Sequence, residues 1–139
     1  MKIYFSGSIR GGRKYLESYK KIVHYLKSNG HIVLTERIAS DNIYELEAQL
    51  TPTSIYERDI QLLNECDAVI AEVSNPSLGV GYEIGYTLHY LEKPTLCLYQ
   101  KDLAVSCMIT GNTSPSIKLG EYKNDEQLFS LIANFLDKL

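Results

Sequence analysis

The stretch DAVIAEVSNPSLGVGYEIG, residues 67–85, decides the fold. Its first seven residues form a nearly unbroken apolar run, as a central strand buried on both faces requires. A glycine-rich break, SNPSLGVG (74–81), interrupts the run, and a helical pattern follows through about Leu91. Strand, loop and helix in that order make one βα unit. On either side the same alternation continues. TSIYERDIQLLNECD (53–67) spells a helix with Thr53 or Ser54 as its cap and Glu57 placed for a capping box. PTLCLY (94–99) is a second buried strand, residues 100–116 are loop-rich with a helical turn at VSCMIT, IKLGEY (117–122) is a last strand, and NDEQLFSLIANFLDKL is an amphipathic closing helix.

Toward the N-terminus, residues 2–6 read as a strand ended by Gly7. Residues 13–28 carry Tyr15, Leu16, Tyr19, Ile22, Val23 and Leu26 at helical spacing, and the helix stops at Gly30. HIVLT (31–35) is a further strand. Residues 37–53 are the least regular, a loop with a helical turn closed by Pro52. Five strands alternating with helices predict an α/β protein: a flavodoxin-like (Rossmann-like), doubly wound, parallel five-stranded sheet with helices on both faces, formed by residues 1–139 as one domain. In the order 2-1-3-4-5, strands 1 and 3 lie side by side at the topological switch point, where ligands bind beyond the carboxyl ends. The loops SGSIRGGR and SNPSLGVGYE are therefore expected to meet there.

Composition narrows the function. A net charge of −3 argues against a general nucleic-acid binder. No apolar run approaches membrane-spanning length and no leader precedes the first strand, so the expectation is a soluble protein of the cytoplasm, or of the nucleus in a eukaryote. Cys66, Cys97 and Cys107 match no zinc spacing and read as buried, reduced thiols. His24, His31 and His89 have no metal-ligand spacing either and read as surface or boundary residues. No metal and no cofactor are expected.

The first loop, SGSIRGGRK, approaches a P-loop, but Arg13 stands where that motif needs Lys and Lys14 where it needs Ser or Thr, which disfavours a nucleoside triphosphatase. It also lacks the GxGxxG order of a dinucleotide site. Backbone N–H groups, the Ser8 hydroxyl and the Arg10 guanidinium suit a monophosphate; a tight turn with solvated cations is the alternative. In the second loop Ser77 is placed to donate to the same anion, and Gly79 and Gly81 allow close backbone approach. Glu83 is expected in the first turn of the following helix, where the dipole favours its ionised form, either for chemistry or merely to complement the dipole. Asp59 has Ile55, Tyr56, Leu62 and Leu63 as helical neighbours, so it either pairs with a cation or faces a cleft with a raised pKa. Tyr4 and Phe5 point to opposite faces of the first strand.

Taken together, IYFSGSIRGGR (3–13), ERD (57–59), DAVIAEVSNPSLGVGYEIG (67–85) and CMITG (107–111) resemble the 2'-deoxynucleoside 5'-phosphate N-hydrolases of the nucleoside 2-deoxyribosyltransferase superfamily. That resemblance implies a flavodoxin-like homodimer that cleaves a deoxynucleoside 5'-monophosphate to free base and 2-deoxyribose 5-phosphate with retention. It implies Glu83 as the nucleophile, Asp59 as a second carboxylate at the reaction centre and Tyr4 lining the sugar site. Ser8, Ile9, Arg10, Gly11, Ser77 and Gly79 match the phosphate site, with Ser106 lent by the other subunit. Four features depart from the family: Ser6 in place of Cys, Arg37 in place of His, the dissimilar segment 37–53, and a stretch before Ser106 that is one residue shorter. They bear on base preference more than on reaction type. A ribonucleotide (CMP-type) N-glycosidase, a nucleoside deoxyribosyltransferase and a non-catalytic nucleotide sensor are the rival readings; the cationic loop disfavours the transferase, and the pairing of Asp59 with Glu83 disfavours the sensor.

Overall fold

The computed structural model describes residues 1–139. Five parallel strands, β1 (Lys2–Ser6), β2 (Ile32–Val33), β3 (Ala68–Glu72), β4 (Thr95–Gln100) and β5 (Ile117–Tyr122), form one sheet in the order β2-β1-β3-β4-β5. This is the doubly wound order expected from the alternation. Every residue of β3 is buried, as its apolar run demands. β2 pairs through two residues only, shorter than HIVLT suggests, because the chain turns away at Thr35, whose Oγ1 bonds both the N–H and the carbonyl of Phe5.

The helices are α1 (Leu16–Ser28), α2 (Ile43–Glu47), α3 (Pro52–Glu65), α4 (Leu78–Tyr86), α5 (Cys107–Thr110) and α6 (Asp125–Leu136). A 3-10 turn, Glu36–Ala39, precedes α2, and a π-helical turn, Thr87–Leu91, extends α4. Strand alternation sorts the core. Ile3, Phe5, Ile70, Leu96 and Leu98 pack with α1 and α6 on one face, where Tyr19, Ile22, Leu26, Leu128 and Ile132 close the core. Tyr4, Val69, Ala71 and Cys97 face the opposite layer, with Leu63, Val80 and Ile84. Tyr4 and Ser6 therefore share one face, and that is the face covered by α3 and α4.

Three local expectations need correction. The cap of α3 is Thr51, whose Oγ1 accepts from Ser54 N–H at 3.1 Å, and Pro52 occupies the first helical position instead of closing the preceding segment. Helix α4 starts at Leu78, capped by Ser77, so SNPSLGVG is loop only as far as Ser77. Cys66 and Cys97 are buried, and burial pushes the Cys97 thiol up to about 12, but Cys107 is exposed because it opens the short surface helix α5. All three thiols are free.

At the far end of α3, Lys93 Nζ donates to the carbonyls of Leu63, Asn64 and Cys66 at 2.8, 2.6 and 2.8 Å. One ammonium thus satisfies the orphan carbonyls at the negative end of the helix dipole. Lys93→Met is expected to lower stability by about 1.5–3 kcal/mol, as for hydrogen bonds to charged groups, read from the urea midpoint at unchanged slope.

Candidate active site

The carboxyl ends of β1 and β3 open into a cavity of about 1020 Å³. Two loops form one end. Asn75 Nδ2 ties them together, donating to Ser8 Oγ at 3.0 Å and to the Gly11 carbonyl at 2.9 Å. At Gly11 the backbone passes so close to the other loop that a Cβ would lie 2.6 Å from the Pro76 carbonyl oxygen, and at Gly12 the chain turns with φ +118°. The N–H groups of Ile9, Arg10 and Gly11 donate to no backbone acceptor, nor do those of Leu78 and Gly79 at the start of α4. Ile9, Arg10, Gly11, Ser77, Leu78 and Gly79 all line the cavity. Free amides in succession, a helix N-terminus and the exposed Arg10 side chain make an anion cradle.

Not every candidate stands in that cradle. Ser8 is fully buried beneath the loop, its N–H donating to Tyr19 Oη at 3.0 Å, and it does not line the cavity. Arg13 turns away too: its guanidinium donates to the carbonyls of Ser8, Ile38 and Ser40 and sits over the Tyr19 ring. Ser106, the cap of α5, lines the cavity from its own chain.

The same cavity is lined by the carboxylates Glu83 and Asp59. Tyr4 Oη donates to Glu83 Oε1 at 2.9 Å, and Ser6 Oγ donates to Glu83 Oε2. Glu83 lies in the second turn of α4, beyond the reach of the helix dipole, and burial pushes its carboxyl up to about 7 against the pull of the two hydroxyls and Arg37; Asp59 adds to the rise. The expectation of a dipole-favoured, readily ionised Glu83 is thus overturned, because the helix starts earlier and the carboxyl is shielded from water. Burial and the nearby carboxylates hold the Tyr4 hydroxyl well above its ordinary range, so it remains a donor.

Asp59 is not isolated among apolar side chains, as its helical neighbours suggest. Its Oδ1 accepts from Arg37 Nη2 at 2.5 Å and from Arg58 Nε at 2.9 Å, and Arg58 also reaches the buried Glu47 at 3.0 Å. Asp59 is paired and also lines the cavity, so the two alternatives hold together. Arg37, Glu47 and Ser6 were not candidates from the sequence. Ser6 was legible as a neighbour of Tyr4 at the same-face spacing of two; Arg37 stood out only as a departure from the family's His, and Glu47, from the irregular segment, carries no local signal. No three His, Cys, Asp or Glu side chains converge as a metal-holding set, and no helix is long and apolar enough to cross a membrane.

A parallel α/β sheet with an anion cradle at its switch point and a hydrogen-bonded carboxyl across one cavity defines a nucleotide- or sugar-phosphate-handling domain. The chain belongs to the nucleoside 2-deoxyribosyltransferase family, whose model matches residues 3–119. It is 42% identical over 137 residues to a Methanosarcina mazei protein named "Putative 2'-deoxynucleoside 5'-phosphate N-hydrolase 1", covering 99% of this chain and 84% of that one. It is 41% identical over 130 residues to the 5-hydroxymethyl-dUMP N-hydrolase of Danio rerio, covering 91% of this chain and 90% of that one. Among solved structures it is similar to the CMP N-glycosidase of Clostridium botulinum, with a TM-score of 0.72 at 19% identity over 97% of this chain and 99% of that one, a likeness of fold.

Proposed function

We propose that this protein hydrolyses the N-glycosidic bond of 2'-deoxynucleoside 5'-monophosphates, releasing free base and 2-deoxyribose 5-phosphate. The observation that carries the reading is that one cavity joins the anion cradle, with Arg10, to the carboxylates Glu83 and Asp59. Relatives with about this length and about two-fifths identity are named for the same bond cleavage.

In this reading the 5'-phosphate takes the amides of Ile9, Arg10, Gly11 and Gly79, with the side chains of Arg10 and Ser77. Ser8 supports the loop from beneath. The sugar then lies over Glu83. Ionised Glu83 attacks the anomeric carbon as the carbon–nitrogen bond breaks, giving a covalent glycosyl ester. The departing base takes a proton from a water held at Asp59, and the hydroxide so formed displaces Glu83 and restores the anomeric configuration. Tyr4 and Ser6 orient the nucleophile and take up its charge as the ester is released. Attack requires the ionised form, so kcat/KM rises with pH through the Glu83 value near 7. A homodimer is part of the reading: α4 exposes Leu78 and Tyr82, the π-helical turn exposes Tyr90 and α5 exposes Met108, and a second copy would cover these apolar side chains.

The test is chromatography of dGMP, dAMP, dCMP, dTMP, GMP, CMP and deoxyguanosine after incubation with the protein. Base released from a deoxynucleotide much faster than from its dephosphorylated form supports the reading. Release from ribonucleotides alone overturns the sugar assignment, and no release with binding intact overturns catalysis. In the same assay Arg10→Gln is expected to raise KM for the deoxynucleotide by about ten- to a hundredfold with little change in kcat, because a charge-assisted phosphate contact is lost.

A further inference from the structure

Arg13 belongs to the cationic loop in sequence but not to the cradle in space. Its Nη1 donates to the Ser8 carbonyl at 3.1 Å, and its Nη2 donates to the carbonyls of Ile38 at 2.5 Å and Ser40 at 3.0 Å. One guanidinium therefore joins the anion loop to the 3-10 turn Glu36–Ala39. From that turn Arg37 reaches Asp59. The peptide held at its Ser8 carbonyl is the same rigid unit whose other end is the Ile9 N–H. In a trans peptide the two groups point in opposite directions, so fixing the carbonyl on Arg13 fixes the amide on the cradle side. An anion that accepts from Ile9 N–H also polarises that peptide and strengthens the carbonyl as an acceptor for Arg13.

We propose that Arg13 is a positioning residue that couples occupancy of the anion cradle to the placement of Arg37 and Asp59 at the reaction centre. The inference rests on the reading of the cavity as a deoxynucleotide site. Its consequence is that the 5'-phosphate raises the rate of bond cleavage as well as affinity. The phosphate tightens the Ser8–Ile9 peptide on Arg13, Arg13 holds the turn, and the turn holds Arg37 against Asp59. The same turn is also tied to β1 through Thr35, to α1 through Lys27 and Glu36, and to the core through Ile38, so Arg13 is the tie that leads to the anion loop.

Two measurements on Arg13→Gln and Arg13→Lys test this. Neither the neutral amide nor the single ammonium spans three carbonyls as a planar fork does. In steady-state kinetics both variants are expected to lose about tenfold or more in kcat on the deoxynucleotide while KM moves by less than about threefold, the size of a small misplacement of catalytic groups. The preference for the phosphorylated substrate over its deoxynucleoside falls by the same factor. Equal losses on the two substrates, with the preference kept, overturn the proposal, since a merely structural role lowers both alike. The second measurement is hydrogen exchange with inorganic phosphate as the probe. Phosphate is expected to slow exchange at the Ile38 and Ser40 amides of the wild type, which bond Thr35 and Arg37, and not in Arg13→Gln. No slowing in the wild type, or the same slowing in the variant, overturns the coupling, and the wild-type arm needs no variant to fold. If the wild type slows exchange but cleaves no deoxynucleotide, the functional reading fails and the coupling stands.

Discussion

Glu83→Gln is expected to abolish turnover, lowering kcat by about 10⁴-fold or more, as when an attacking group is removed. Nucleotide binding should survive. Gln fills the same space, its carbonyl can accept from Tyr4 or Ser6, and the cradle, built from other residues, is untouched. Binding measured by calorimetry with an uncleaved deoxynucleotide, beside rates from base release, separates the two. Loss of both would place Glu83 in the scaffold. The same variant makes a prediction about stability. The folded protein keeps the Glu83 proton up to about 7, above the ordinary 4.5 of the unfolded chain. Between those values the folded state binds more protons than the unfolded one, so the wild type loses stability as pH rises through the window, by at most about 1.4 kcal/mol per unit. Glu83→Gln escapes that loss. Its melting temperature should exceed the wild type's at pH 8 and the advantage should shrink on acidification toward pH 4.5. A buried carboxyl that costs stability is what the proposed catalytic role predicts.

Asp59→Asn is the second large effect. The proposed role, helping the base to leave, predicts a fall in kcat of about 10²- to 10³-fold, the usual worth of positioned proton transfer. Arg58 retains Glu47 at 3.0 Å as a partner, and Arg37 retains it at 3.8 Å, so the fold is expected to tolerate the change. The diagnostic comparison uses deoxynucleotides with progressively better leaving bases. The deficit should shrink as the base needs less assistance. A constant deficit across the series would instead assign Asp59 to holding Arg37 in place.

The elements that could be read from the chain are those whose signal is local. DAVIAEV had to be a doubly buried strand, IKLGEY is a strand over the residues expected, and the switch-point argument brought the two glycine-rich loops together. Helix starts were less legible. Pro52 reads equally as a terminator and as a first helical residue, and only the Thr51 hydroxyl decides between them. Ser77 likewise turned half of an apparent loop into α4 and moved Glu83 one turn inward. The charge pattern was least legible. Asp59 looked unpaired because its partners at three and four positions are apolar, while the partners it uses are its immediate neighbour Arg58 and Arg37, twenty-two residues away on an irregular turn. Periodicity describes one element at a time and is silent about contacts between elements.

The close passage at Gly11 has a consequence for redesign. A side chain at that position would strike the opposite loop's main chain, while Asn75 is bonded to Ser8 and to Gly11 itself. The two loops are cut to each other like key and ward. Grafting either one alone from a relative brings a new main-chain path against an unaltered counterpart, so substrate-range engineering at this end of the cavity has to exchange residues 7–12 and 74–79 as one cassette.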